Sequence, residues 1–285
     1  MRLEYDTESL SMPAVELSRL QYQIAHVTEA FGDPPRLRSR CLDLLNFYAV
    51  RVRSGSSGGR TGTVRSLGVP AAVMRAVEQA LVGRAEADSY AGAMAAETLW
   101  VTPVMESRWL AISLLERQPL ASLPDWIANW SETAEDPQLL ERLAVGPHKR
   151  LWRGDPDLFW KTAAGDLHSD GAPKTVALLA LEEIVPDLNP DDLPRVFAVL
   201  EAAPVPLSGE AWRAYLEVVR VAARRSPPET ARFLVDEIEH ARPGATRLAR
   251  QTLSDFPPRQ REALREALRL GEMIEPPQAR RGPLR

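Results

Sequence analysis

Tyr215-Leu-Glu-Val-Val-Arg220-Val-Ala-Ala-Arg-Arg225-Ser-Pro-Pro-Glu-Thr230-Ala-Arg-Phe-Leu234 reads as a helix, an abrupt stop and the capped start of a second helix. Arg213, Arg220 and Arg224 recur at spacings of seven and four, so they share one helix face. Ser226 stands as an N-cap, Pro227 at the first helical position, and Glu229 as the returning carboxylate of a capping box. Two helices locked by a short turn, one of them carrying arginines, suggest a solenoid repeat that meets phosphate. The plainer alternative is a solvated arginine face on an ordinary helical hairpin.

Helical periodicity extends outward from this stretch in both directions, and no alternating strand pattern competes with it. Two helices are expected over 13–30 and 35–53, followed by the Gly/Ser-rich connection Ser54 to Gly62. Beyond Pro70, apolar helical segments alternate with short Pro, Gly or Asp breaks. They are expected at about 70–83, 88–101, 104–117, 136–145, 173–186, 190–203, 209–225, 227–241, 243–254 and 257–270. Thr175 to Val185 is apolar almost all round, which marks a helix covered on several sides. Helical pairs without a strict sequence period predict an all-α fold, a degenerate HEAT-like α-solenoid, with a compact helical bundle as the alternative. The expected organisation is a helical extension and linker over 1–63, a repeat domain over 64–272 and a tail over 273–285.

Composition narrows the function classes. With 285 residues, 45% hydrophobic and 26% charged, the chain falls in the globular range. The single Cys41 excludes a disulfide framework and a multi-cysteine zinc site. The N-terminus is acidic and polar, and no apolar run approaches a bilayer span, so a soluble, cytoplasmic protein with no membrane partner is expected. Net charge is −4, against a uniformly basic nucleic-acid binder. From Ala211 to Arg285, however, 15 arginines and no lysine face 10 acids, a balance of +5 that leaves −9 on the first 210 residues. A basic surface confined to the C-terminal part is therefore allowed.

Three segments, taken in order, resemble the HEAT-like DNA alkylation repair family of glycosylases. They are Leu67-Gly68-Val69, then Leu99-Trp100-Val-Thr-Pro103-Val-Met-Glu106-Ser-Arg108, then the stretch quoted above with its Ser-Pro break. The resemblance covers roughly 64–270 and implies a concave surface gripping duplex DNA that carries an alkylated, positively charged base. It implies aromatic side chains near the lesion and a carboxylate that helps expel the base. Trp130 matches one aromatic position, but Ala134 stands where the catalytic Asp belongs, leaving Glu135 as a substitute carboxylate. Lys174 resembles the counterpart of a phosphate-gripping Arg, keeping the point charge and losing the bidentate fork. Arg220 matches a DNA-contacting Arg, whereas Glu217 occupies a usual second aromatic position. Trp100, Glu106 and Arg108 are expected to have structural roles.

The other constellations are weaker. His26, His148, His168 and His240 are scattered, and Asp166, His168 and Asp170 read as a loop between helices rather than a metal site. His148, Lys149 and Arg150 form a small basic patch that touches phosphate or is merely solvated. The Ser54–Gly62 stretch lacks the Gly-Lys-Ser/Thr ending of a nucleotide loop. Trp126, Trp130, Trp152 and Trp160 fall within 35 positions of an irregular middle and are candidates for stacking on a base or an organic cation. No cofactor is expected.

Three functions follow. The first is a DNA-binding repair protein, a weakened glycosylase or a relative that recognises distorted duplex DNA, using Trp126, Trp130, Trp160, Lys174, Arg220, Arg224 and Arg225. The second is a repurposed scaffold acting on a small metabolite, with Glu217 and Glu135 as acid, base or cation stabiliser. The Ala/Arg-rich composition suits a GC-rich bacterium, and relatives of the family serve as resistance glycosylases in natural-product pathways. The third is an interaction scaffold that docks a protein partner through residues 1–60.

Overall fold

The computed structural model describes residues 16–49, 64–134, 136–203, 207 and 209–274. Regular structure among them is helical, apart from one isolated parallel bridge between Arg65 and Val104. Two compact units divide the chain: Met1–Gly58 with Arg65–Arg117, and Gly59–Val64 with Gln118–Arg285. The division at Arg117 falls inside the span 64–272 that the sequence suggests as one domain. The helices of the first 53 residues belong with those that end at Leu115.

The first unit holds α1 (Leu17–Glu29), α2 (Pro34–Phe47), α3 (Ala71–Ala87), α4 (Ser89–Trp100) and α5 (Met105–Leu115). Asp33 and Asp88 start α2 and α4 by accepting the backbone N–H groups of Arg36 and Ala91 at 3.3 and 2.9 Å. Their apolar faces bury Leu37, Cys41, Leu45, Leu81, Leu99, Leu110 and Leu114. In the first turn of α5, Glu106 is buried and organises the incoming chain. Its carboxylate accepts from the Ser66 hydroxyl at 2.9 Å and from the N–H groups of Leu67 and Gly68 at 2.9 and 2.8 Å. The positive end of the α5 dipole favours the same charge. Arg108 lays its guanidinium over the Trp100 ring, 5.1 Å from the centroid. The Leu67-Gly68 turn and Glu106 are thus bonded to each other, and Trp100 is held against the helix that carries Glu106.

The second unit holds α6 (Leu123–Thr133), α7 (Pro137–Leu143), a π-helical segment Ala144–His148 and α8 (Lys149–Gly154). It continues with α9 (Pro156–His168), α10 (Ala172–Ile184), α11 (Leu193–Glu201) and α12 (Gly209–Arg225). It closes with α13 (Pro227–Glu239), α14 (Ala245–Thr252) and α15 (Pro258–Ile274). The near-continuous apolar run makes α10 the most covered element: α6, α7, the π segment, α9 and α12 all pack on it. Val176, Ala177, Leu178, Ala180, Leu181 and Ile184 are fully buried as a result. From there α12 packs on α13 and α14, α9 on α11, α11 on α13, and α13 on α15.

The opening stretch gives α12 and α13, but its capping differs from expectation. Ser226 stands at the N-cap, yet its side chain makes no capping hydrogen bond. Pro227 and Pro228 remove the first two N–H donors, and the Ser226 N–H already donates to the Ala222 carbonyl at 2.8 Å. The middle of the chain is not irregular: α6, α8 and α9 run through it. Asp155 starts α9 by accepting the Leu158 N–H at 3.0 Å ahead of Pro156, as Asp136 starts α7 ahead of Pro137. The part of the 35–53 segment beyond residue 49 lies outside the described residues.

Two outcomes follow. Glu106→Ala leaves the buried Leu67 N–H without its acceptor, so it should lower the unfolding free energy of the first unit by at least about 2 kcal/mol in denaturant titration. Loss of less than roughly 0.5 kcal/mol, the scale of an ordinary surface substitution, would contradict that role. Burial pushes the Cys41 thiol up to about 12, and it is fully covered by neighbours. A thiol reagent should therefore modify Cys41 at the rate of unfolding and no faster.

Candidate functional site

On α12 the arginine stripe is interleaved with acid. Glu210, Arg213, Glu217, Arg220 and Arg224 fall within about 80° of one another at 100° per residue. Arg220 is half-buried and held by two carboxylates. Its Nη1 donates to Glu217 one turn back, and its Nε lies 3.5 Å from Asp255. Arg224 is exposed and faces Glu182 of α10 across a Coulomb contact. Arg225 turns away to donate to the Leu188 carbonyl at 3.0 Å.

Beside this face, α7, the π segment, α10 and α12 enclose a pocket of about 240 Å³. Glu141, Glu182, Glu183 and Glu210 line it together with Val145 and Leu179. Burial raises the Glu182 carboxyl above the usual carboxylate range, and Glu217, Glu141 and Glu183 push in the same direction against Arg224. Lys149 reaches in from the start of α8 to pair with Glu183 and, at 4.0 Å, Asp187. The pocket lining, its ion pairs and the α12 face together bring seven carboxylates (Glu141, Glu182, Glu183, Asp187, Glu210, Glu217 and Asp255) to four cations (Lys149, Arg213, Arg220 and Arg224). The surplus is three negative charges.

The expected site residues therefore separate. Glu217, Arg220 and Arg224 come together with Glu182. Lys174 lies in the first turn of α10, only 8% exposed and without a hydrogen bond or ion pair among the described residues. Trp130 is 3% exposed and meets half-exposed Trp126 edge to face at 5.3 Å, both on α6. Trp160 is on α9, buried against Phe159 at 5.2 Å. Glu135 lies outside the described residues. The basic patch is spoken for: His148 is fully buried, Lys149 is paired, and Arg150 donates to the Gln118 carbonyl. Asp166 and His168 belong to the last turns of α9 rather than a loop, and Asp166 faces His148 at 3.6 Å.

Sequence reasoning passed over Glu141, Glu182, Glu183 and Glu210. The signal lay in Glu182-Glu183, two acids that close an otherwise apolar helix and mark where its cover opens. Comparison of the chain with protein-family models, curated proteins and solved structures finds no match.

A carboxyl whose folded pKa exceeds its unfolded one adds stability below the unfolded value and loses it as pH rises through the folded one. Glu182 is such a group, so at neutral pH its charge opposes folding. Glu182→Gln, uncharged at every pH, should melt higher than the parent chain at neutral pH. The gap should close as pH falls into the carboxylate range. A lower melting point for E182Q at neutral pH would rule this out.

Proposed function

We propose that this chain is a divergent HEAT-like α-solenoid of the alkylation-repair type that recognises a positively charged, alkylated purine-like ring. The single observation that carries the reading is the carboxylate-lined pocket between α7, α10 and α12, with its surplus of negative charge. Support for the architecture comes from the succession of helix contacts α10–α12–α14 beside α9–α11–α13–α15. The order of the Leu67-Gly68, Trp100, Glu106 and Arg220 segments along the chain points the same way. A desolvated cation gains most from carboxylates that neighbouring carboxylates already strain, because its arrival relieves their mutual repulsion.

The ring can be presented by duplex DNA or as a free small molecule. Lys174, buried and unpaired in a first helical turn, and exposed Arg224 favour contact with backbone phosphate. The charge balance favours the free cation, since the carboxylates repel a duplex and Arg220 already serves Glu217 and Asp255. Ala134 supplies no carboxylate for base expulsion, so binding is the activity expected, without base release.

Calorimetry separates the sources. 7-Methylguanosine in slightly acidic buffer should bind saturably, and neutral guanosine should not. Glu182→Gln combined with Glu210→Gln should weaken binding by roughly tenfold or more, the scale of one lost charged contact. A duplex carrying one 7-methylguanine should bind more weakly, with a steep salt dependence that Arg224→Glu abolishes. Equal affinity for 7-methylguanosine and guanosine would refute recognition of charge. Tighter binding of the duplex than of the nucleoside would assign the site to DNA.

A further inference from the structure

We infer that residues 275–285 dock in cis as a basic strap into a groove between α11 and α13. The groove holds about 240 Å³ and lies apart from the acidic pocket, on the walls supplied by those two helices. Its floor is the stacked pair Phe197 and Phe233, with centroids 5.1 Å apart and planes 23° from parallel. Glu201, Glu229 and Asp236 line it with Arg232, three acids to one cation in the lining, while Arg242 donates to the Glu201 carbonyl and pairs with Glu237.

The segment that follows α15 has the complementary chemistry. Glu275-Pro-Pro-Gln-Ala-Arg280-Arg-Gly-Pro-Leu-Arg285 carries three arginines against one acid, a surplus of two positive charges. Its three prolines favour an extended backbone with few amide donors, the form that aromatic-floored grooves accept, and acidic rims suit its arginines. The path is short. Gly271 of α15 approaches α13 so closely that a Cβ there would lie 2.7 Å from Cγ2 of Ile238. The chain thus leaves α15 against the helix that forms one wall of the groove. Rounding a helix about 10 Å across is well within the roughly 36 Å that eleven extended residues span.

The test uses the full chain, isotope-labelled and carrying a nitroxide on Gly282→Cys; buried Cys41 leaves that label selective. Amide signals of Glu229 and Phe233 should broaden at low salt. They should recover at high salt, and the Phe233 signal should also recover in the double variant Glu201→Lys, Asp236→Lys. Absence of broadening, or broadening indifferent to the charge reversals, overturns the proposal. A mixture of nitroxide-bearing chains without isotope and isotope-labelled chains without nitroxide should give no broadening. Broadening in that mixture means the groove holds a second copy's segment, and docking in cis is then wrong.

Discussion

Helix α10 has almost no side that tolerates water, and the second unit is arranged around that demand. Each fully buried Val, Leu or Ile contributes roughly 1.5–3 kcal/mol relative to exposure, so uncovering even one face would forfeit several such terms. The elements that close over it include α6, α7, the π segment, α9 and α12. The cover ends at Leu179, Glu182 and Glu183, where side chains of α7 and α12 stand apart enough to leave a pocket. The pocket therefore lies where the packing stops, and Glu182 is partly desolvated there because it borders the most buried helix of the unit.

Charge on the neighbouring α12 face is decided by pairing rather than by composition. A run of arginines in sequence suggests a cationic surface, and the C-terminal balance of +5 strengthens the impression. In three dimensions Glu217 and Asp255 enclose Arg220, and Lys149 serves Glu183 and Asp187. Two charges a few ångströms apart at a half-buried site interact far more strongly than either does with a distant phosphate across salt water. Among the described residues, Lys174, Arg224 and Arg225 are the cations of the expected set without a hydrogen bond or ion pair to a carboxylate, and Lys174 sits on a different helix from the two arginines.

Much of the helical order was legible in the chain because periodicity and capping act locally. The boundaries of α12 and α13 follow from Pro227, and those of α3 to α5 from Pro70, Asp88 and Pro103. The helices α6, α8 and α9 escaped notice because Trp, Asp and Gly interrupt their apolar rhythm, although Asp155-Pro156 carries the same start signal as Asp136-Pro137. The site was less legible. Arg220 and Glu217 are neighbours on any helical wheel, but Asp255 lies 35 positions away from Arg220 and reaches it only through the packing of α12 on the turn that follows α14. Burial of Trp130 and Trp160 likewise depends on what covers them. An aromatic ring in a sequence has no sign that separates a core filler from a stacking platform.

The π segment carries one implication for how this chain can vary. Ala144–His148 runs with a wider turn than its flanks, includes Pro147, and places fully buried His148 against Phe159 at 5.9 Å. Such a turn accommodates one more residue than an α-helix does over the same rise. Deleting one residue there would let the segment wind as an ordinary α-helix over the same rise and keep the downstream phase, whereas inserting one would turn everything downstream by about 100° and carry Lys149 away from Glu183. Residues 144–148 are in this sense asymmetric towards changes of length: the wide turn absorbs the loss of one residue, whereas the gain of one rewires the wall of the pocket at a stroke.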